Sequence, residues 1–261
     1  MDANKRMILF EVGNLLTKIK GGGTQESIAK RMVEKCPGLG SVEKAMPLVL
    51  MPHTDFCAYS SAQAQKKLAV ALNAVAPVTW DEVVEANIAA TADMALNENI
   101  IEMVSIIQQQ YPSIKVGVFT NGFWYSTPII KAALPVGMFD LFFQSGDLRC
   151  RKPWQQAYEV VENITDVSGS NILLYDNDYK NVLEAREHGW TAELVNADSP
   201  IELLREIAAQ FLGCRAEDIT PVTPQPTTTI PSPGTETRPV AETAGESSAD
   251  CAAAPDKKPK K

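Results

Sequence analysis

Three apolar runs recur along the chain, and each one stops at a polar turn. RMILFEV at residues 6–12 runs into Gly13-Asn14. IKVGVF at 114–119 ends at Thr120-Asn121-Gly122, and NILLY at 171–175 ends at Asp176-Asn177-Asp178. Short apolar runs closed by turn formers predict buried strands. DLFFQS at 140–145 and TAELV at 191–195 predict a fourth and a fifth. Between them, apolar residues fall at helical spacing. Ile100, Ile101, Val104 and Ile107 predict a helix over 97–110. Trp154, Ala157, Tyr158 and Val161 predict one over 154–163, and Val182, Ala185 and Arg186 one over 180–188 that Gly189 stops. Strands alternating with helices predict an α/β fold with a Rossmann-like parallel sheet. Ligands of such sheets lie at the carboxyl ends of the strands, where Glu11, Thr120, Asn121 and Asp176 all fall.

About a hundred residues separate the first two strands, far more than one crossover helix needs. They read as helices: Thr24–Glu34, Val42–Met51 kinked by Pro47, Ser60–Val75, and Thr79–Met94 opened by a Thr79/Glu82 capping box. The pattern predicts a helical cap over residues 20–94, hinged at Gly21-Gly22-Gly23, on a core of residues 1–19 and 95–218. From residue 219 the chain turns rich in Pro, Thr, Ser and Glu. It offers too little apolar surface to offset its ordering entropy, so residues 219–261 are expected to be a disordered tail.

Composition narrows the function. The 261 residues are 45% hydrophobic, enough for one sizeable core. A net charge of -8 argues against a nucleic-acid partner, while a small anionic ligand remains compatible through a local positive pocket. Five cysteines without a Cys-x-x-Cys pair read as reduced thiols and no structural zinc, hence a cytoplasmic setting. No run approaches the roughly 18 apolar residues of a membrane helix, so no membrane partner is expected.

Four strand-end signals come in a fixed order: Glu11 in FEVGN, Thr120-Asn121 in VFTNG, Lys152 in RKP, and Asp176 in LLYDNDYKN. In that order the sequence resembles the haloacid-dehalogenase superfamily. The likeness is nearest to its sugar-phosphate phosphatases and to the amino-terminal phosphatase domain of soluble epoxide hydrolases. FEVGNL at 10–15, SGDLRCRKPWQQAYEVV at 145–161 and LLYDNDYKNVLEAREHGW at 173–190 carry it, over about residues 6–212. The resemblance implies a nucleophile and metal ligand at position 11, where the family has aspartate and this chain has Glu11. It implies phosphate donors in Thr120, Asn121 and Lys152, with Lys152 also assisting catalysis. It implies a magnesium site made by Glu11, the Gly13 carbonyl and Asp176. Gly13 stands where many relatives carry a second aspartate as general acid, and Asn177 where this branch often has another acid.

Glutamate reaches about 1.5 Å further than aspartate, and a misplacement of about 1 Å can cost about 100-fold in rate. Two readings therefore stand. One is a slow, magnesium-dependent hydrolase of a small phosphorylated metabolite. The other is a catalytically impaired relative that binds a phosphorylated ligand, or a protein partner through the tail.

Overall fold

The computed structural model describes residues 5–19, 25–50, 55–59, 63, 79–91, 94–122 and 126–221. The expected Gly21–Gly23 hinge, most of the Ser60–Val75 helix and the tail beyond residue 221 lie outside the described residues.

Each predicted strand forms. β1 (Met7–Phe10), β4 (Lys115–Thr120), β5 (Leu141–Gln144), β6 (Ile172–Asp176) and β7 (Thr191–Leu194) make one sheet in the order β5-β4-β1-β6-β7. Every pairing in it is parallel. Alternation within a strand sends successive side chains to opposite faces. Ile8 and Phe10 of β1, with Leu173 and Tyr175 of β6, pack under helices α4 (Glu98–Gln110) and α9 (Ile201–Leu212). Met7 and Leu9, with Ile172 and Leu174, pack under α7 (Gln155–Thr165) and α8 (Tyr179–Glu187). The sheet is thus buried on both faces, which is why its strands read as continuous apolar runs.

β1 and β4 are separated by helices as well as by a second, two-stranded antiparallel sheet. Its strands are β2 (Thr17–Ile19) and β3 (Met94–Leu96). Between them lie α1 (Gln25–Lys35), α2 (Val42–Leu50) and α3 (Trp80–Thr91). α1 packs on α2 and α3 around its own apolar cluster, which includes Ala29, Met32, Leu39, Leu48 and Ala86. The capping box at the start of α3 is formed. Thr79 N–H donates to Glu82 Oε2 at 2.7 Å, and Glu82 N–H donates back to Thr79 Oγ1 at 3.3 Å. The β2/β3 pair, α9 and α5 (Ser126–Ala133) were not anticipated. A strand of three residues is too short to display alternation. The ordered chain also runs past residue 218. A short 3-10 turn at Ala216–Ile219 tucks Ile219, fully buried, into the core that α9 covers.

Gly117 marks the tightest approach inside the sheet. A Cβ there would meet Leu141 Cβ at 2.8 Å and Leu9 Cδ2 at 3.0 Å. Backbone strands cannot part without breaking their ladder. Gly117→Ala is therefore expected to cost about 1–3 kcal/mol in urea unfolding. No measurable loss would show that β4 and β5 are less firmly joined than the register implies.

Candidate functional site

Glu11 follows β1 directly, and its N–H continues the ladder to the Tyr175 carbonyl at 2.9 Å. The chain then turns. Thr17 closes the turn by donating its N–H and its hydroxyl to the Val12 carbonyl, at 3.0 and 3.1 Å. This aims the Val12 and Gly13 N–H groups back at Glu11, whose Oε1 accepts them at 2.8 and 3.2 Å. Thr120 ends the neighbouring strand β4, and its hydroxyl donates to the same oxygen.

Lys152 arrives on the loop after α6 (Ser145–Leu148), and its side chain is completely buried. Its ammonium donates to Glu11 Oε2 at 2.8 Å, to Asp176 Oδ2 and to the Phe119 carbonyl. An ammonium has three protons, so its donor capacity is used. Asp176 ends β6 and is also fully buried. Its Oδ1 accepts from Asp178 N–H at 2.8 Å and from Asn181 Nδ2 at 3.1 Å, and its Oδ2 from Lys152 and from Asn181 Nδ2 at 3.2 Å.

The sequence-selected residues thus converge: Glu11, Thr120, Lys152 and Asp176 form one connected cluster. Asn121, expected to offer its backbone N–H to a phosphate, has a further role through its side chain. Its amide clamps the Lys152 backbone, donating to Lys152 O at 2.8 Å and accepting Lys152 N–H at 3.0 Å. Three further residues contribute in ways the sequence had not assigned, two of them, Asn177 and Asn181, inside the LLYDNDYKN signal. Asn181 brackets Asp176 from the first turn of α8. Asn177 donates to the Gly13 carbonyl at 2.7 Å. Ser145 ties Gly122, just past Asn121, to the Cys57 carbonyl of the helical insertion, accepting at 3.0 Å and donating at 3.0 Å. Trp124 and Tyr125, whose sequence position suggested a pocket wall or core packing, lie outside the described residues. A cavity of about 440 Å³, lined by Ala58, Tyr59, Gln63, Arg149 and Trp154, opens where the insertion meets the Lys152 loop.

Burial and the neighbouring charges shift both buried groups, Lys152 and Asp176, upward. Burial alone would lower the Lys152 pKa, but Asp176 and then Glu11 outweigh it, and the ammonium is held above its ordinary 10.5. Burial pushes the Asp176 pKa above its ordinary 3.8; Lys152 pulls it back in part, and Glu11 pushes it further up.

Magnesium at the expected ligands, Glu11, the Gly13 carbonyl and Asp176, would take the place of hydrogen bonds that these groups now make, while Glu11 Oε2 and the Gly13 carbonyl each keep a lone pair beyond their one hydrogen bond among the described residues. Both Asp176 oxygens carry two hydrogen bonds each, and a carboxylate has about four lone-pair sites in all. The Lys152 ammonium sits between the two carboxylates, and Asn177 holds the Gly13 carbonyl. Among the described residues, no group of three or more His, Cys, Asp or Glu is placed to hold a metal.

No family model and no curated protein sequence matches this chain. Solved structures do match it. One is described as a predicted HAD-like family hydrolase from Porphyromonas gingivalis; it is 16% identical, with TM-score 0.56 over 76% of this chain and 94% of that one. A second is a HAD family enzyme from Bacteroides thetaiotaomicron, an aspartate-to-alanine variant in complex with magnesium and inorganic phosphate. It is 12% identical, with TM-score 0.58 over 76% and 98%. A third is L-2-haloacid dehalogenase from Xanthobacter autotrophicus with chloropropionic acid covalently bound, 16% identical, with TM-score 0.53 over 78% and 82%. The chain shares the fold of these haloacid-dehalogenase-like hydrolases, and its neighbours include both a phosphate complex and a dehalogenase.

Breaking a buried ion pair by removing one partner costs about 3–5 kcal/mol. Lys152→Met, which strands two buried carboxylates, is expected to lose that much in urea unfolding at pH 7. The pH profile identifies the cause. A lysine pKa raised by folding stabilises below its unfolded value and ceases to do so as pH rises through its folded value. Wild type should therefore lose stability above pH 10.5, and Lys152→Met should lack that component. Equal alkaline profiles would mean that the ammonium is not what holds the cluster.

Proposed function

We propose that this chain is a hydrolase-fold protein with a phosphatase-type site that Glu11 keeps catalytically impaired, so that it turns over small phosphomonoesters slowly or not at all. One observation carries the reading: the carboxylate at the nucleophile position is held by four of the protein's own donors. Oε1 takes three hydrogen bonds and Oε2 takes the Lys152 ammonium. In-line attack needs an oxygen aimed at phosphorus, with the donors left to the transferring group. Here nucleophile and donors bind one another. The substrate's non-reacting portion would lie in the cavity whose wall includes Arg149 and Trp154.

A slow hydrolase is the second reading, and Oε2 favours it. Among the described residues Lys152 is its one hydrogen-bond partner, and the Glu11 side chain keeps 10% of its surface exposed. That oxygen is the one that would attack. The setting fits a reducing compartment, since Cys36, Cys57, Cys150 and Cys214 form no disulfide. No helix among the described residues is long and apolar enough to cross a membrane.

Glu11→Asp withdraws the carboxylate by about 1.5 Å and leaves Thr120 and Lys152 in place. On a panel of small phosphomonoesters and 2-haloacids, with and without magnesium, this variant is expected to exceed wild type by about 100-fold or more on at least one compound. Glu11→Gln should abolish any residual wild-type activity, because an amide is a poor nucleophile. A wild type that outperforms Glu11→Asp across the panel would overturn the impaired reading and establish glutamate as the working nucleophile.

A further inference from the structure

We infer that Arg149 is the anion partner of the cavity beside the Lys152 loop, and that this cavity takes a flat aromatic ring carrying one carboxylate. On the reading above, the same cavity holds the substrate's non-reacting portion; the inference rests on that reading and names the chemistry of that portion.

Backbone conformation singles out Arg149. Three non-glycine residues among those described have a positive φ: Asn14, Arg149 and Asp166. Asparagine and aspartate tolerate the left-handed region, because a short polar side chain can bond locally there. Arginine has no such relief. Arg149 caps α6 at φ 60° and ψ 20°, a position where glycine would sit without strain. A residue held in a disfavoured conformation at the wall of a cavity points to a use for its side chain.

That side chain is also uncommitted. The guanidinium of the nearby Arg151 is bound to the protein: it donates to the Lys152 carbonyl at 2.8 Å and lies over the Trp154 ring at 5.3 Å. The Arg149 guanidinium makes no hydrogen bond, ion pair or ring contact with the described residues. Among those residues it is the one charged group in the cavity wall, which also includes Ala58, Tyr59, Gln63 and Trp154.

The wall decides the ligand class. Tyr59 and Trp154 are half-buried and Ala58 is buried, so the cavity offers ring and methyl surface to an apolar body. Aromatic walls favour a flat ring over a bulky one. A guanidinium presents a planar fork that a carboxylate fills with two parallel hydrogen bonds. The volume, about 440 Å³, lies in the range that small organic ligands occupy. The wall is anchored through its backbone. The Trp154 N–H donates to the Arg151 carbonyl at 2.7 Å, and Ser145 Oγ donates to the Cys57 carbonyl, next to Ala58, at 3.0 Å.

Fluorine NMR titration of the full chain tests this, with 4-fluorobenzoate as probe and 4-fluorobenzamide as its uncharged match. Wild type is expected to bind the benzoate roughly 10-fold tighter than the benzamide. Arg149→Gly relieves the backbone and removes the guanidinium. It should melt no lower than wild type, bind the benzoate roughly 10-fold more weakly and bind the benzamide unchanged. Arg149→Lys keeps the charge without the fork, and its benzoate affinity should fall between the two. Cyclohexanecarboxylate, which is not flat, should displace the probe roughly 5-fold less effectively than benzoate does. Inorganic phosphate at equal ionic strength should not displace it. The inference is overturned if wild type does not bind the benzoate, binds both probes equally, or releases the benzoate as readily to phosphate or to cyclohexanecarboxylate as to benzoate. Equal benzoate affinity in Arg149→Gly overturns it as well, and so does a lower melting temperature of that variant, since Arg149 would then serve the fold. Arg149-dependent benzoate binding without any turnover by Glu11→Asp would refute the proposed function alone. Turnover by Glu11→Asp, with benzoate binding indifferent to Arg149, would refute this inference alone.

Discussion

A fully buried ammonium between two carboxylates is the constraint on which the rest of the site depends. Lys152 cannot lie in the apolar interior alone, because desolvating one charge costs several kcal/mol. It needs Glu11 and Asp176, and they need it. Those two acids sit at the ends of adjacent parallel strands, β1 and β6, so the requirement also fixes how the loop carrying Lys152 must return to the sheet. Asn121 enforces that return by bonding both polar groups of the Lys152 backbone. Strand order, loop path and charge balance are thus one problem with one solution.

The same economy explains why Glu11 is at once well accommodated and chemically quiet. A carboxylate beside two backbone N–H groups, a hydroxyl and an ammonium has almost everything water would offer it. Good solvation of a ground-state anion is poor preparation for nucleophilic attack, since the bonds that hold it must be given up or shared. Buried polar networks of this kind are worth most when every member is satisfied. Asp176 meets that condition with four hydrogen bonds.

Much of the fold was legible because its physics is local. RMILFEV, IKVGVF and NILLY are apolar on both faces, as strands covered by helices on both sides must be, and their turn residues mark the ends. The Thr79/Glu82 capping box could be read for the same reason, since both partners lie within one helical turn. The β2/β3 pair could not be read. Three residues at each end of the insertion, Thr17–Ile19 and Met94–Leu96, gain their identity as strands only from each other across the chain. Ile219 stands in residues that read as tail by composition, yet a single buried side chain anchors them to the core.

For the site, the sequence alone determined which residues meet. Residues that end parallel strands must share one edge of the sheet, so Glu11, Thr120 and Asp176 were bound to be neighbours once the strands were recognised. The lysine before Pro153 followed from its place in the ordered set. What only the tertiary structure decided is how those neighbours share their hydrogen bonds. That Thr120 and two backbone N–H groups turn to Glu11, that Asn121 grips the Lys152 backbone, and that Asn181 completes Asp176 depend on ångström-scale distances between separate elements. Periodicity and motif order fix topology, which is discrete. Hydrogen-bond allocation depends on continuous geometry, and that exists only after the chain has packed.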